Sequence, residues 1–227
     1  MKMRSILFGM LVGAAAASQA QTFSPVRSYK EGASDSYSMK MDMDSSMGKL
    51  GMSMDMKSTV KKVYENGDAD VESAVSNLAL SIAGQEMKPP AGKPTTMRIN
   101  KFGMPVEAAK GKSSNFNMMQ FTSQFGDKEL KLGETMPFEN VDKDNPKRKV
   151  KGTAKLSELK DGIAVIVVSV DSWTEASETP MHLDGTSRVN AATGVLNHFE
   201  GKATNLPSMG GPGMTISSAT FVIDRKG

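Results

Sequence analysis

The 227-residue chain has no cysteine, only two histidines and a single tryptophan, and beyond residue 20 it has no apolar run long enough to cross a bilayer. The missing thiols exclude thiolate catalysis, disulfides, Cys-based zinc sites and an N-terminal lipidated Cys. A surplus of one charge is missing too. Lys and Arg total 28 against 25 Asp and Glu, and setting aside Lys2 and Arg4 leaves 26 against 25. That balance gives no electrostatic case for a nucleic-acid partner or an anionic membrane surface. Hydrophobic residues at 38% and charged residues at 23% are ordinary globular values, which excludes a collagen-like, coiled-coil or wholly disordered chain.

What is present begins with an export signal. Met1-Lys2-Met3-Arg4 is a short basic start, Ile6 to Ala17 is apolar, and Ser18-Gln19-Ala20 ends in a small residue acceptable to a signal peptidase. About 12 apolar residues span only ~18 Å as a helix, short of the ~30 Å hydrocarbon core, so a removable signal over 1–20 is expected rather than an anchor. The remainder is then expected outside the cytoplasm, periplasmic or secreted, with a leader over 21–36 and one antiparallel β domain over 37–227. Sixteen of the 19 methionines lie beyond residue 20.

From Tyr37 the sequence alternates strictly. Tyr37, Met39, Met41 and Met43 fall on one side, and Ser36, Ser38, Lys40, Asp42 and Asp44 on the other, which is the period of a half-buried strand. After Ser45-Ser46-Met47-Gly48 the pattern resumes with Leu50, Met52, Met54 and Met56 against Gly51, Ser53, Asp55 and Lys57. Two such strands form an antiparallel hairpin presenting Met to one side. Thr59 to Tyr64 leads to Asn66-Gly67, a hairpin-turn dipeptide.

Residues 71–83 admit two descriptions. Val71, Ala74, Val75, Leu78, Ala79 and Ile82 keep helical spacing, with Asp70 as N-cap and Gly84 past the end. Ala74, Ser76, Leu78, Leu80 and Ile82 alternate as a strand, and the preceding hairpin turn favours that alternative. The Pro-rich stretch 85–95 is a loop. Thr96 to Ala109 reads as strand, turn at Lys101-Phe102-Gly103, and return strand, and Phe116, Met118, Met119, Phe121 and Phe125 fit a short helix capped by Ser113 or Ser114. Ile163 to Val170 is the most apolar strand and is placed centrally.

A weak internal repeat relates 59–71 to 153–165, each a strand, a Gly turn and a strand; Gly103 and Gly194 mark a second turn in each half. Two related halves, 37–126 and 127–227, are one way to account for it. The fold class expected is mainly β: a large curved antiparallel sheet, meander or half-barrel, with one or two short helices.

The meander with its Asn-Gly and Asp-Gly turns, the segment Glu129-Leu-Lys-Leu-Gly133-Glu-Thr135, and Gly185-Thr-Ser-Arg-Val-Asn-Ala-Ala-Thr-Gly194 resemble secreted bacterial β-meander proteins of unknown function. More distantly the layout is similar to the half-barrel of periplasmic lipoprotein carriers, in which a curved antiparallel sheet wraps helices and holds acyl chains. The resemblance implies an envelope location and an apolar ligand, and carries over no individual residue.

The candidate chemistry is sparse. Thioethers are soft ligands suited to Cu(I), and they also fill irregular cores or line adaptable apolar surfaces. The candidate binding residues are therefore Met39, Met41, Met43, Met52, Met54 and Met56. His182 and His198 lie near Asp184 and Glu200 in sequence, without HExxH spacing. Gly111-Lys112-Ser113 lacks the upstream Gly of a phosphate loop, where Val106 stands. Asp142-Lys143-Asp144-Asn145 lacks the Gly and Glu of a calcium loop, and no GxSxG occurs. Lys147 to Lys151 is read as a solvated strand edge, and Trp173 as a cap on the sheet. The expectation is an exported, non-enzymatic binding or envelope-associated protein with no cofactor, no metal, and no nucleic-acid partner. Its ligand is an apolar small molecule or lipid on the Met side. A copper-handling role for the thioethers and a hydrolase with an unrecognised site are the alternatives.

Overall fold

A computed structural model describes residues 21–82, 84–106, 128–141, 145–173, 179–206 and 215–227. The N-terminal part contains β1 (Thr22–Phe23), β2 (Ser34–Ser45), β3 (Gly48–Val63), β4 (Ala69–Ile82), β5 (Gln85–Met87) and β6 (Thr95–Ile99). The C-terminal part contains β7 (Leu130–Lys131), β8 (Thr135–Val141), β9 (Lys149–Lys160), β10 (Ile163–Trp173), β11 (Met181–Asn190), β12 (Leu196–Leu206) and β13 (Ile216–Lys226). Among the described residues there is no helix; the helix expected after Ser113 or Ser114 lies outside them. The expected large antiparallel sheet is present. Eleven strands form it in the order β5-β4-β3-β2-β13-β12-β11-β10-β9-β8, with β6 joining β4 beside β5, and it does not close on itself. β1 and β7 make a separate two-stranded ladder.

The first and last long strands meet in the middle of this order. β13 pairs with β2 through Met39↔Ile223, Met41↔Phe221 and Met43↔Ala219, so an N-terminal wing (β2–β6) and a C-terminal wing (β8–β13) share one pleated surface. Directly opposed residues point to the same side of a sheet, and the registers can therefore be followed strand by strand. Phe138, Gly152, Val170, Leu183, Ala203, Ala219, Met43, Leu50 and Ile82 form one continuous row on the inner side. The core lies along such rows. Leu156, Ile166, Val168, Val170, Leu183, Phe199 and Phe221 are all buried in the C-terminal wing and its seam. Each such side chain contributes about 1.5–3 kcal/mol through removal from water.

Glycine lets the backbone approach an aromatic ring here. A Cβ on Gly185 would lie 2.7 Å from Cε2 and Cζ of Phe199, and one on Gly201 would lie 2.9 Å from Cζ of the same ring. Phe199 thus lies flat against the opposed pair Gly185↔Gly201, its ring filling the space their missing side chains leave. Ser187, opposite Phe199, is 0% exposed, and its hydroxyl has no hydrogen-bond partner among the described residues.

Residues 71–82 are strand, and their helix-like spacing has a physical cause. The β3–β4 register shifts between Ser53 and Asp55, where Asn77 takes a left-handed φ of 51°, a conformation asparagine tolerates better than most residues. Before this bulge Val71 opposes Val60 and Val75 opposes Met56; after it Leu80 opposes Met52 and Ile82 opposes Leu50. One extra residue shifts the alternation by one, so Val71, Val75, Leu78 and Ile82, taken from an inward set that also holds Leu80, imitate a helical stripe. Ala74 and Ser76, expected in phase with Leu78, instead oppose Lys57 and Asp55 on the outer side. Asn77 Nδ2 donates to Asp55 Oδ2 at 2.7 Å, and Lys226 Nζ meets Asp55 Oδ1 at 2.5 Å.

The leader is more than a free arm. Phe23 is 2% exposed and pairs with Leu130, and residues 24–33 then cross the end of the sheet as a strap. Arg27 N donates to Lys101 O at 2.7 Å, Ser28 N to Thr193 O at 3.2 Å and Gly32 N to Val60 O at 2.9 Å. Tyr29 Oη donates to Asn100 O at 3.1 Å. The strap therefore bonds to both wings. β6 is pinned to β4 by Arg98 Nε donating to Asp70 Oδ1 at 3.1 Å, and Tyr64 Oη, in the turn between β3 and β4, donates to the other oxygen of the same carboxylate at 2.7 Å.

The two sequence-related hairpins both exist, β3–β4 turning at Gly67 (φ 85°) and β9–β10 at Gly162 (φ 75°). The return strand after Gly103 is limited to the single bridge Ile99↔Pro105 within the described residues. The basic run is not an edge: β9 lies between β8 and β10, with Lys151 Nζ 3.0 Å from Glu139 and Lys149 Nζ 4.6 Å from the centroid of Trp173. Trp173 is half-buried beneath that cation.

Gly185→Ala should lower unfolding free energy by about 1–3 kcal/mol through overpacking against Phe199, measured by urea denaturation, and Phe199→Leu should reduce the increment of the Gly185→Ala change. Ser187→Ala should leave stability unchanged or raise it by up to about 1 kcal/mol, because an unsatisfied buried hydroxyl disappears.

Candidate functional site

The strands carry two chemically distinct sides. On the inner side of the N-terminal wing the β2–β3 register opposes Tyr37 to Met56, Met39 to Met54, Met41 to Met52 and Met43 to Leu50. The six sequence-selected methionines therefore share a side, as their alternation implies. Met41 and Met43 are buried at 3% and 9% exposure, and Met39, Met52 and Met56 are partly buried against the core. Met54 is half-buried. The patch continues onto β4 through Val75, Leu78, Leu80 and Ile82, all half-buried.

Burial along the inner side is graded. In the row described above, exposure is 8% at Phe138 on the far edge, 0% at Val170, Leu183 and Ala203, 1% at Ala219, 9% at Met43 and 8% at Leu50, and Ile82 is half-buried. The C-terminal wing is thus a finished core, and the N-terminal wing keeps apolar surface within reach of solvent. Polar groups are few on that surface. The Tyr37 hydroxyl and Arg27 Nε are buried without hydrogen-bond partners among the described residues. Burial pushes the Tyr37 phenol above its ordinary pKa, and the nearby Arg27 guanidinium works against the shift.

The outer side carries both histidines. His182 Nδ1 is 2.8 Å from Asp171 Oδ1 and its Nε2 is 3.1 Å from Asp184 Oδ2. His198 Nδ1 is 2.7 Å from Asp224 Oδ1, and its Nε2 is 3.9 Å from Glu200 Oε2. The acids nearest in sequence, Asp184 and Glu200, are thus only half of each arrangement. Asp171 and Asp224 come from the neighbouring strands β10 and β13, through the pairs Asp171↔His182 and His198↔Asp224, and sequence proximity does not reveal them. The hydrogen bond to Asp171 is the main cause holding the His182 pKa above the ordinary imidazole value, burial opposes it, and Asp184 adds to the rise. The Asp184 carboxyl is held below its usual range, first by the Ser169 hydroxyl and, against the opposing effect of burial, also by His182.

The two histidines do not make one site. On β12 His182 faces Thr204 while His198 itself faces Arg188, a separation of six residues, or roughly 20 Å along the strand. Between them lies a depression of about 690 Å³ lined by outer-side groups that include Lys155, Val167, Asp184, Glu200, Lys202 and Val222. No methionine lines it. Among the described residues no group of three or more His, Cys, Asp or Glu is placed to hold a metal ion.

No family model and no curated protein matches the chain. Among solved structures, it is similar to a protein from Parabacteroides distasonis described as a "putative lipoprotein", at 10% identity and a TM-score of 0.32, over 90% of this chain and 99% of that one. It is also similar to DynF from the dynemicin biosynthesis pathway of Micromonospora chersina, at 11% identity and a TM-score of 0.28, over 98% of this chain and 95% of that one. Likeness at this level carries no argument about function.

Protonated His182 can donate to both carboxylates. Because folding raises its pKa from 6.5, the stabilisation is fully present below that value and disappears as pH climbs through the folded value. The side chain is 40% exposed, and solvent screening keeps the effect under about 1 kcal/mol. The melting-temperature advantage of the native chain over His182→Gln should therefore shrink as the pH rises above about 6.5, read from paired thermal melts.

Proposed function

We propose that the protein is a non-enzymatic binding protein of the extracytoplasmic space that holds an apolar ligand, such as the acyl part of a lipid, on the inner side of its N-terminal wing. The observation that carries this reading is the graded burial along continuous inner rows. The C-terminal wing, six of the eleven strands, spends its apolar side on a closed core, while Met39, Met52, Met54, Met56, Leu78, Leu80 and Ile82 stay half-buried. Unbranched thioether side chains adapt to ligands of irregular shape at little packing cost, and a concave, mostly apolar surface is the usual lining of a small-molecule site.

Two further features support the reading. Residues 1–20 have the pattern of an export signal, in keeping with a location outside the cytoplasm. The hydrolase alternative finds little support on the outer side, where the histidines stand at opposite ends of the depression, each engaged with carboxylates from two strands.

Protein purified in detergent-free buffer and extracted with organic solvent should release lipid detectable by mass spectrometry, and the stripped protein should bind a fluorescent fatty acid. Met54→Glu and Leu80→Glu should each weaken that binding at least tenfold, since a carboxylate on the apolar side disfavours an acyl chain. Ser53→Glu, one residue away on the outer side, should leave it unchanged. Absence of both extractable lipid and probe binding, or an equal loss in Ser53→Glu, would overturn the proposal.

A further inference from the structure

We propose that the β2–β3 hairpin is also a Cu(I) site, formed by the thioethers of Met39, Met41, Met52 and Met54. The pairs Met39↔Met54 and Met41↔Met52 are adjacent along the same two strands, so these four Cβ positions form a rectangle. Its short side is the cross-strand separation of about 4.5–5.5 Å and its long side the same-strand repeat of about 6.6–6.8 Å. The centre of that rectangle is about 4 Å from every corner. Each sulfur lies two bonds beyond its Cβ on a chain with three rotatable bonds, so all four can turn toward one ion above the centre. A single strand cannot do this, because successive same-side methionines only line up; the register with the neighbouring strand supplies the second dimension.

The surroundings select the metal. Neutral thioethers favour a soft, monovalent ion. The walls of the patch are apolar: Ile223 opposes Met39, Phe221 opposes Met41 and Leu80 opposes Met52. Hard divalent ions find no oxygen donors among those groups. Access is one-sided. Met41 is 3% exposed and forms the floor, whereas Met39, Met52 and Met54 are half-buried and reachable from solvent. The chain has no cysteine to compete for the ion.

The site is independent of the apolar-ligand reading, because leucine at these positions serves a lipid and not a metal. The test is anaerobic titration of the protein against a chromophoric Cu(I)-bicinchoninate complex, paired with Ag(I) titration followed by the methionine ε-methyl NMR signals. One equivalent of Cu(I) should transfer to the native protein, and Ag(I) should shift the signals of Met39, Met41, Met52 and Met54 but not those of the exposed Met47 and Met87. The double substitution Met39→Leu with Met54→Leu should weaken Cu(I) binding at least a hundredfold. Its thermal melt should match the native protein, since these swaps nearly conserve volume. Met47→Leu with Met87→Leu should behave as native. No transfer from the chromophoric complex, or equal affinity in the Met39/Met54 variant, would overturn the site while leaving the apolar-ligand proposal to its own test.

Discussion

The pairing of β2 with β13 is the interaction on which the rest of the molecule depends. It joins residues far apart in the chain, Met41 to Phe221 and Met39 to Ile223, and converts two separate meanders into a single surface with one inner side. Loop-closure entropy grows only slowly with the length of chain enclosed, so ten pairs, nine of them consecutive, can sustain so distant a contact. Without them the Met hairpin would lose Phe221 and Ile223 as neighbours, and the C-terminal wing would end at an open strand.

That seam also divides the chemistry. On the C-terminal side the inner rows alternate bulky residues with the glycines 152, 185 and 201, over which Phe138 and Phe199 lie, and the packing is complete. On the N-terminal side the same rows run into methionine and leucine at intermediate burial. The outer side is a lattice of hydroxyls and charges, with Lys40, Asp42, Ser53 and Asp55 behind the methionines. A soft inner side and a hard outer side are thus separated by the thickness of one backbone.

Much of this was legible in the sequence, for a simple reason. A side-chain period of two is unambiguous when one residue type repeats, and Met39 to Met43 with Met52 to Met56 announce both the strands and their shared side. The Gly turns of the β3–β4 and β9–β10 hairpins were legible on the same grounds. Legibility failed where information lies between strands. The bulge at Asn77 is a single-residue event that converts a strand pattern into an imitation of a helix. The rank of β9 as an interior strand depends on β8, a short segment with Pro137 in it, and lysine on a solvated side looks the same as lysine on an edge. Asp171 and Asp224 could be assigned to His182 and His198 only once the registers were known, because a cross-strand partner can come from any distance along the chain. The graded burial of the methionine rows is likewise a property of the whole sheet and leaves no local mark.

The strap over 24–33 gives the two wings a common fastening. Arg27, Tyr29 and Gly32 hold to groups in the N-terminal wing, and Ser28 holds to the turn that ends β11. Beyond the β2–β13 ladder, the two wings are therefore tied a second time, by a short stretch that holds no methionine. The second fastening and the sulfur-bearing strands lie in different segments, so either can drift during evolution while the other is kept.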